Sequence, residues 1–233
     1  FIFVFFTNLP EVNISFLSVI NNHHFFLILI FILSLMLLMN GFNFVDGLNG
    51  LSSFSFFSIL LSIYYVANFY GDYFLTNLIM ITFLSSLVVF FLNFPFGKIF
   101  LGDSGSYLYA IISGSLVIYL FRRNPELPSL FAMVILAYPI TEMLFSIFRK
   151  FLKGYSPLKP DTKHLHHLIF ERLNGNKFSR NNIASLMMLP YCVLPFGLSY
   201  FSVNHNIDNN LFKYLIFFLL YSMIYIILSR SKN

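Results

Sequence analysis

Seven apolar runs, each near the length that carries an α-helix through a bilayer, lie at roughly residues 25–41, 51–70, 73–93, 105–121, 129–148, 183–203 and 211–229. Crossing the hydrocarbon layer as helix takes about 20 predominantly apolar residues. In lipid every backbone N–H and C=O must also find its partner within the protein. The pattern predicts an all-α fold, a multi-pass transmembrane helical bundle of about seven spans preceded by an apolar stub at 1–6. Residues 1–233 read as a single integral-membrane unit. Hydrophobic residues make up 58% of the chain and charged residues 10%, a balance outside the range of soluble domains. The lipid bilayer is the expected partner, and no nucleic-acid partner is expected. The single cysteine, Cys192, sits inside an apolar run, so no intrachain disulfide framework can form. The chain opens with the apolar stretch FIFVFF and without the charged region of a cleavable signal peptide. The expectation is a chain that begins mid-helix and lacks its N-terminal portion.

The longest polar segment, 149–182, separates the fifth and sixth runs and carries eight Lys or Arg against Asp161 and Glu171. Basic excess in a non-spanning segment marks the cytoplasmic side. Parity then assigns 42–50 and 94–104 to the same side, and 7–24, 71–72, 122–128 and 204–210 to the outside. Eleven Lys and Arg fall on the cytoplasmic face and three, Arg122, Arg123 and Lys213, on the other, as the rule requires. All three segments richest in polar residues, 40–50, 93–106 and 154–172, thereby share one face.

Each segment has a plain structural explanation and a chemical one. In NGFNFVDGLNGL, residues 40–51, Asp-Gly and Asn-Gly pairs suit a chain reversal between helices. Yet Asn40, Asn43, Asp46 and Asn49 offer more hydrogen-bonding capacity than one turn uses, and Asn43 and Asp46 share a helical face. In Gly102-Asp103-Ser104-Gly105-Ser106, either Asp103 or Ser104 could cap the helix that follows. The same geometry favours phosphate at a helix N-terminus and gives Mg²⁺ a hard oxygen ligand in Asp103. In SPLKPDTKHLHHLIFERL, residues 156–173, the histidines 164, 166 and 167 lie in a basic stretch behind Asp161. Their spacing makes a poor zinc site. A basic loop against anionic headgroups is one alternative, and neutralisation of a pyrophosphate is the other. Glu142, inside the fifth run, either faces the site or pairs with Arg149 one heptad on.

Together the three motifs resemble the polyprenyl-phosphate N-acetylhexosamine-1-phosphate transferases, glycosyltransferase family 4. The Asn-rich loop ending in Asp-Gly matches Asn40, Asn43, Asp46 and Gly47, and the Gly-Asp-x-Gly-Ser motif matches Gly102, Asp103, Gly105 and Ser106. The histidine motif matches His164, His166 and His167. Its His-x-His-His form is more similar to the bacterial undecaprenyl-phosphate GlcNAc-1-phosphate transferases than to the phospho-MurNAc-pentapeptide translocases. Departures are the absence of an adjacent Asp pair from these 233 residues, Asn49 in place of a second Asp, and Thr162 in place of Arg.

The resemblance implies transfer of a sugar-1-phosphate from a UDP-N-acetylhexosamine to undecaprenyl phosphate with release of UMP, in the bacterial inner (cytoplasmic) membrane. It implies Mg²⁺, or Mn²⁺ in its place, held by Asp103 with Asn43, and catalytic roles for Asp103 and Asp46. Asn40, Asn43, Asp46, Asn49, His164, His166 and His167 would bind substrate. A homodimer stays open as an assembly state. The pentapeptide transferase of peptidoglycan synthesis is the nearest alternative. An ion-coupled transporter using Glu142, or an inactive membrane fragment, is the alternative of another kind. The downstream polymer, O-antigen lipopolysaccharide or another cell-wall component, is not written in the motifs.

Overall fold

A computed structural model describes residues 9–14, 21, 23–156, 163–205 and 207–230. The stub at 1–6 and residues 157–162, which include Asp161 and Thr162, lie outside the described residues. Nine helices and no strand occur among the described residues: α1 His24–Val45, α2 Leu51–Phe69, α3 Tyr73–Asn93, α4 Gly102–Arg123, α5 Phe131–Ile135, α6 Ala137–Leu152, α7 Leu165–Arg172, α8 Lys177–His205 and α9 Asn210–Arg230. Six of them, α1, α2, α3, α4, α8 and α9, are long and apolar enough to cross a membrane. The protein is a multi-pass integral membrane protein.

The run predicted as an unbroken span at 129–148 is two helices, α5 and α6, meeting at Leu136. Pro139 explains the break. It has no N–H to donate, and its ring crowds the carbonyl four residues back, which belongs to Ile135 at the end of α5. At the same place α1 packs against it, with Gly41 so tight on the Pro139 carbonyl that a Cβ at Gly41 would overlap it. Among the described residues six helices have spanning length where seven spans were expected, the fifth run being divided between α5 and α6.

Helix α2 is the central element, buried on most of its surface, whereas α1 and α3 present apolar faces such as Phe25, Leu33, Phe74 and Val88 outward. The centre is built with small residues. Ser52, Ser53, Ser55, Ser58 and Ser62 are all buried on α2, and Ala184, Ser185, Ser199 and Ser202 are buried on α8. Small side chains let two backbones approach closely, which gains dispersion contact where lipid supplies no hydrophobic drive.

One end of the bundle is closed by a charge pair. Asp72 caps α3 by accepting the Leu75 N–H at 3.1 Å and binds the Arg123 guanidinium at the end of α4. An N-cap contributes about 1 kcal/mol, or roughly 3 °C in a chain of this size. Asp72→Ala should therefore lower the melting temperature in detergent by at least that much. Asp72→Asn, which keeps the cap and loses only the charge, should lower it less. Equal melting temperatures for both variants and the parent would show that neither contact matters. The catalytic candidates all lie at the opposite end.

Candidate active site

Two polar loops and one short helix meet at that end. Helix α1 stops at Val45, where the Asp46 N–H folds back on the carbonyls of Phe42 and Asn43. The chain reverses through 46–50 into α2, whose N-cap Gly50 has φ +78°, a conformation in which a side chain would also meet Phe94. Asn93 ties this reversal to the next loop: its Oδ1 accepts the Gly50 N–H, and its Nδ2 donates to the Ile99 carbonyl at 2.7 Å. That loop ends at Gly102, φ +60°, which opens α4.

Asp103 therefore lies inside the first turn of α4. The expected capping role falls to neither Asp103 nor Ser104, because the N-cap is Leu101, with no side-chain hydrogen bond. The Asp103 carboxylate, exposed, is left for other work: it accepts a hydrogen bond from Asn43 Nδ2 at 2.7 Å across 60 residues of sequence. Asp46 lies nearby, close enough to the Gly102 N–H and to Asp103 for both to act on its carboxyl. Burial raises the Asp46 carboxyl to about 7; the Gly102 N–H opposes this and the Asp103 charge adds to it. Among the described residues, no basic side chain acts on it.

The histidine motif folds over the same corner. His164 is the N-cap of α7 in extended conformation (φ −88°, ψ 159°). Its ring packs on Phe44, centroids 4.8 Å apart, and lies parallel to that of His166, 5.6 Å away. His166 is fully buried, with Nε2 pressed against Gly47 so closely that a Cβ there would collide with it. Asp-Gly in the first motif is thus required by contact with the third. Among the described residues, neither ring nitrogen of His166 has a hydrogen-bond partner. Burial pushes His166 down, against the opposing pull of Glu142. It pushes His167 down to about 4, helped by His166 and His164. At neutral pH His167 is accordingly an uncharged hydrogen-bonding group.

Not every candidate faces this corner. Asn49 is buried and turned toward α8, its N–H donating to Asn181 Oδ1 at 2.8 Å and its Nδ2 to Asn182 Oδ1 at 3.5 Å. Asn40 is exposed on α1 and donates to the Met36 carbonyl one turn back at 2.9 Å. Glu142 does not pair with Arg149. Its Oε2 lies 3.0 Å from His164 Nδ1 and its Oε1 3.9 Å from His166 Nδ1. Arg149 instead reaches the Lys163 carbonyl and the Tyr225 hydroxyl, which anchors the start of the histidine segment. Phe44, Asn93 and Arg149 support the site, and the sequence offered no local signal for them beyond their position beside the motifs.

A divalent cation fits this corner by donor chemistry. Two carboxylates meet there, Asp46 half-buried and Asp103 exposed with the Asn43 amide on it, and among the described residues neither forms an ion pair. Among the described residues, no group of three or more His, Cys, Asp or Glu side chains could hold a metal. One or two carboxylates completed by water and substrate phosphate is how Mg²⁺ is commonly held.

The family model of glycosyl transferase family 4 matches residues 1–121. The undecaprenyl-phosphate alpha-N-acetylglucosaminyl 1-phosphate transferase of Thermotoga maritima is 33% identical over 141 residues, which covers 59% of this chain and 41% of the relative. The enzyme of the same name from Salmonella typhi is 32% identical over 146 residues, 56% of this chain and 37% of the relative. A probable undecaprenyl-phosphate N-acetylglucosaminyl 1-phosphate transferase of Bacillus subtilis is 32% identical over 129 residues, 55% and 36%. The matched stretch thus spans about two fifths of the length of these curated relatives. No solved structure matches. With its first 121 residues matching the family and its Asn-rich, Gly-Asp and histidine motifs meeting at one end of the bundle, the chain belongs to glycosyl transferase family 4.

Proposed function

We propose that the protein transfers N-acetylglucosamine-1-phosphate from UDP-N-acetylglucosamine to undecaprenyl phosphate at the cytoplasmic face of a bacterial inner membrane. The acceptor phosphate oxygen attacks the phosphorus that carries the sugar. The bridging P–O bond of the donor breaks, and UMP leaves. The observation that carries this reading is the Asn43–Asp103 hydrogen bond of 2.7 Å beside the His166–Gly47 contact, which brings three sequence motifs to one corner. Relatives named for N-acetylglucosamine transfer favour it over the pentapeptide substrate. A transporter reading is disfavoured because Glu142 is engaged by His164 and Tyr138, beside the three motifs.

Asp103, Asp46 and the Asn43 amide would hold Mg²⁺, which when bound withdraws charge developing on the phosphoryl oxygens. Asn43 fixes the Asp103 rotamer from α1, so that the first turn of α4 and the end of α1 act as one unit. His166 and His167 offer uncharged imidazoles to the sugar-phosphate region, and His164 places them. Phosphoryl transfer asks little covalent chemistry of the protein; it asks for position and charge.

The test is an assay on membranes carrying the protein, with radiolabelled UDP-N-acetylglucosamine and undecaprenyl phosphate. Equal amounts of UMP and butanol-extractable labelled lipid are expected, both abolished by EDTA and restored by Mg²⁺ or Mn²⁺. Product from UDP-MurNAc-pentapeptide alone would replace this reading with the peptidoglycan one.

A further inference from the structure

We infer that Glu142 is the positioning residue of the histidine motif, holding His164 directly by a hydrogen bond, and the stacked His166 through it, so that the imidazoles are presented to the phosphate corner. The inference rests on the functional reading above for what the histidines touch, but not for how they are held.

Glu142 is 1% exposed on α6. A carboxylate at such a place is costly unless its oxygens are matched by donors. Both are engaged. Tyr138, one turn earlier, donates its hydroxyl to Oε1 at 3.3 Å, and His164 Nδ1 lies 3.0 Å from Oε2. An ionised carboxylate only accepts, so the proton on His164 belongs on Nδ1, leaving Nε2 to point elsewhere. His166, ring plane within 5° of that of His164, directs its Nδ1 at Oε1 of the same carboxylate, 3.9 Å away.

The opposite edge of the His166 ring supplies the independent sign of a ligand. Its Nε2 is buried, has no hydrogen-bond partner among the described residues and is aimed at Gly47, next to Asp46. Packing alone would favour an apolar ring in that place. A buried polar atom without a partner is unfavourable, and a phosphate or sugar oxygen arriving beside Gly47 would supply one. The arrangement is carboxylate, imidazole, ligand: the same logic by which a carboxylate behind a histidine fixes its tautomer in metal sites. Phe44 packs against His164 with ring centroids 4.8 Å apart and restricts its rotation.

Two measurements on the protein in nanodiscs test this. In ¹⁵N-histidine NMR spectra, the His164 imidazole should carry its proton on Nδ1 in the parent. It should become a mixture of tautomers in the near-isosteric Glu142→Gln, with the melting temperature shared. In the transferase assay Glu142→Ala should lower kcat on the order of 10–100-fold, as loss of an orienting outer partner does elsewhere. Glu142→Asp should recover part of that loss. The effect of Glu142→Ala should largely vanish in a His164→Asn background, because a residue acting through another gives non-additive losses.

Full additivity with His164→Asn, or an unchanged tautomer in Glu142→Gln, overturns the inference. Should Glu142→Ala not fold, the Gln spectrum decides alone. A tautomer change with no transferase activity in the parent would leave Glu142 as the positioning residue and remove the proposed reaction instead.

Discussion

Asp103→Asn is expected to reduce Mg²⁺-dependent formation of lipid-linked N-acetylglucosamine on the order of 10²–10³-fold, with little change in folding. Asp103 is exposed in the first turn of α4 and does not cap it, so asparagine keeps the shape and the helix. A substitution of that kind away from the core shifts stability by less than about 0.5 kcal/mol. What it removes is the charge, and losing one preorganised electrostatic group around a developing anion typically costs about that factor in rate. Asn43→Asp is the informative companion. It sets a second carboxylate against Asp103 where an N–H now donates, so it should also lose activity while retaining acidic ligands. Normal product formation by Asp103→Asn would remove Asp103 from the site, whatever the family.

The spans were legible because lipid leaves a chain few choices, and a run of apolar residues of the right length has essentially one use there. Proline marked the exception: the break between α5 and α6 follows from Pro139, and a count of apolar residues passes over it. The meeting of the three motifs was legible from loop parity and basic charge. Which partner each polar group would take was not. Glu142 and Arg149 are seven apart, an attractive spacing on paper, but the carboxylate found His164 and His166 and the guanidinium found Lys163 and Tyr225. Asn49 looked like a ligand by its place in the motif, and it binds Asn181 and Asn182 more than 130 residues away. Local periodicity records which face is apolar; it carries no information on which distant donor arrives at a given acceptor. The Gly-Asp motif shows the same limit in one turn of helix. Its composition suits an N-cap, and only the positive φ of Gly102 moves the helix start far enough to release Asp103 from that duty.

Gly47→Ala should be the second most damaging change, for a reason of space alone. Gly47 is not among the glycines with positive φ, so alanine meets no backbone penalty there. Its methyl group, however, would overlap His166 Nε2 and lie 2.8 Å from Cδ2. The ring cannot step aside at low cost: it is fully buried, parallel to His164 at 5.6 Å and 4.2 Å from His167. Overpacking of this kind costs about 1–3 kcal/mol, a fall of roughly 2–10 °C in melting temperature for a chain of this length. Activity should fall further than stability does, on the order of 100-fold, because a displacement near 1 Å at a reacting centre suffices for that. The double variant Gly47→Ala, His166→Ala separates the two effects, since it returns the lost space without returning the imidazole. Stability should recover and activity should not. Gly197→Ala, in α8 with no atom near the added methyl, is the control and should be neutral or slightly stabilising. If Gly47→Ala keeps both its melting temperature and its rate, the loop and the histidines do not touch, and the corner they form is not where the sugar phosphate is held.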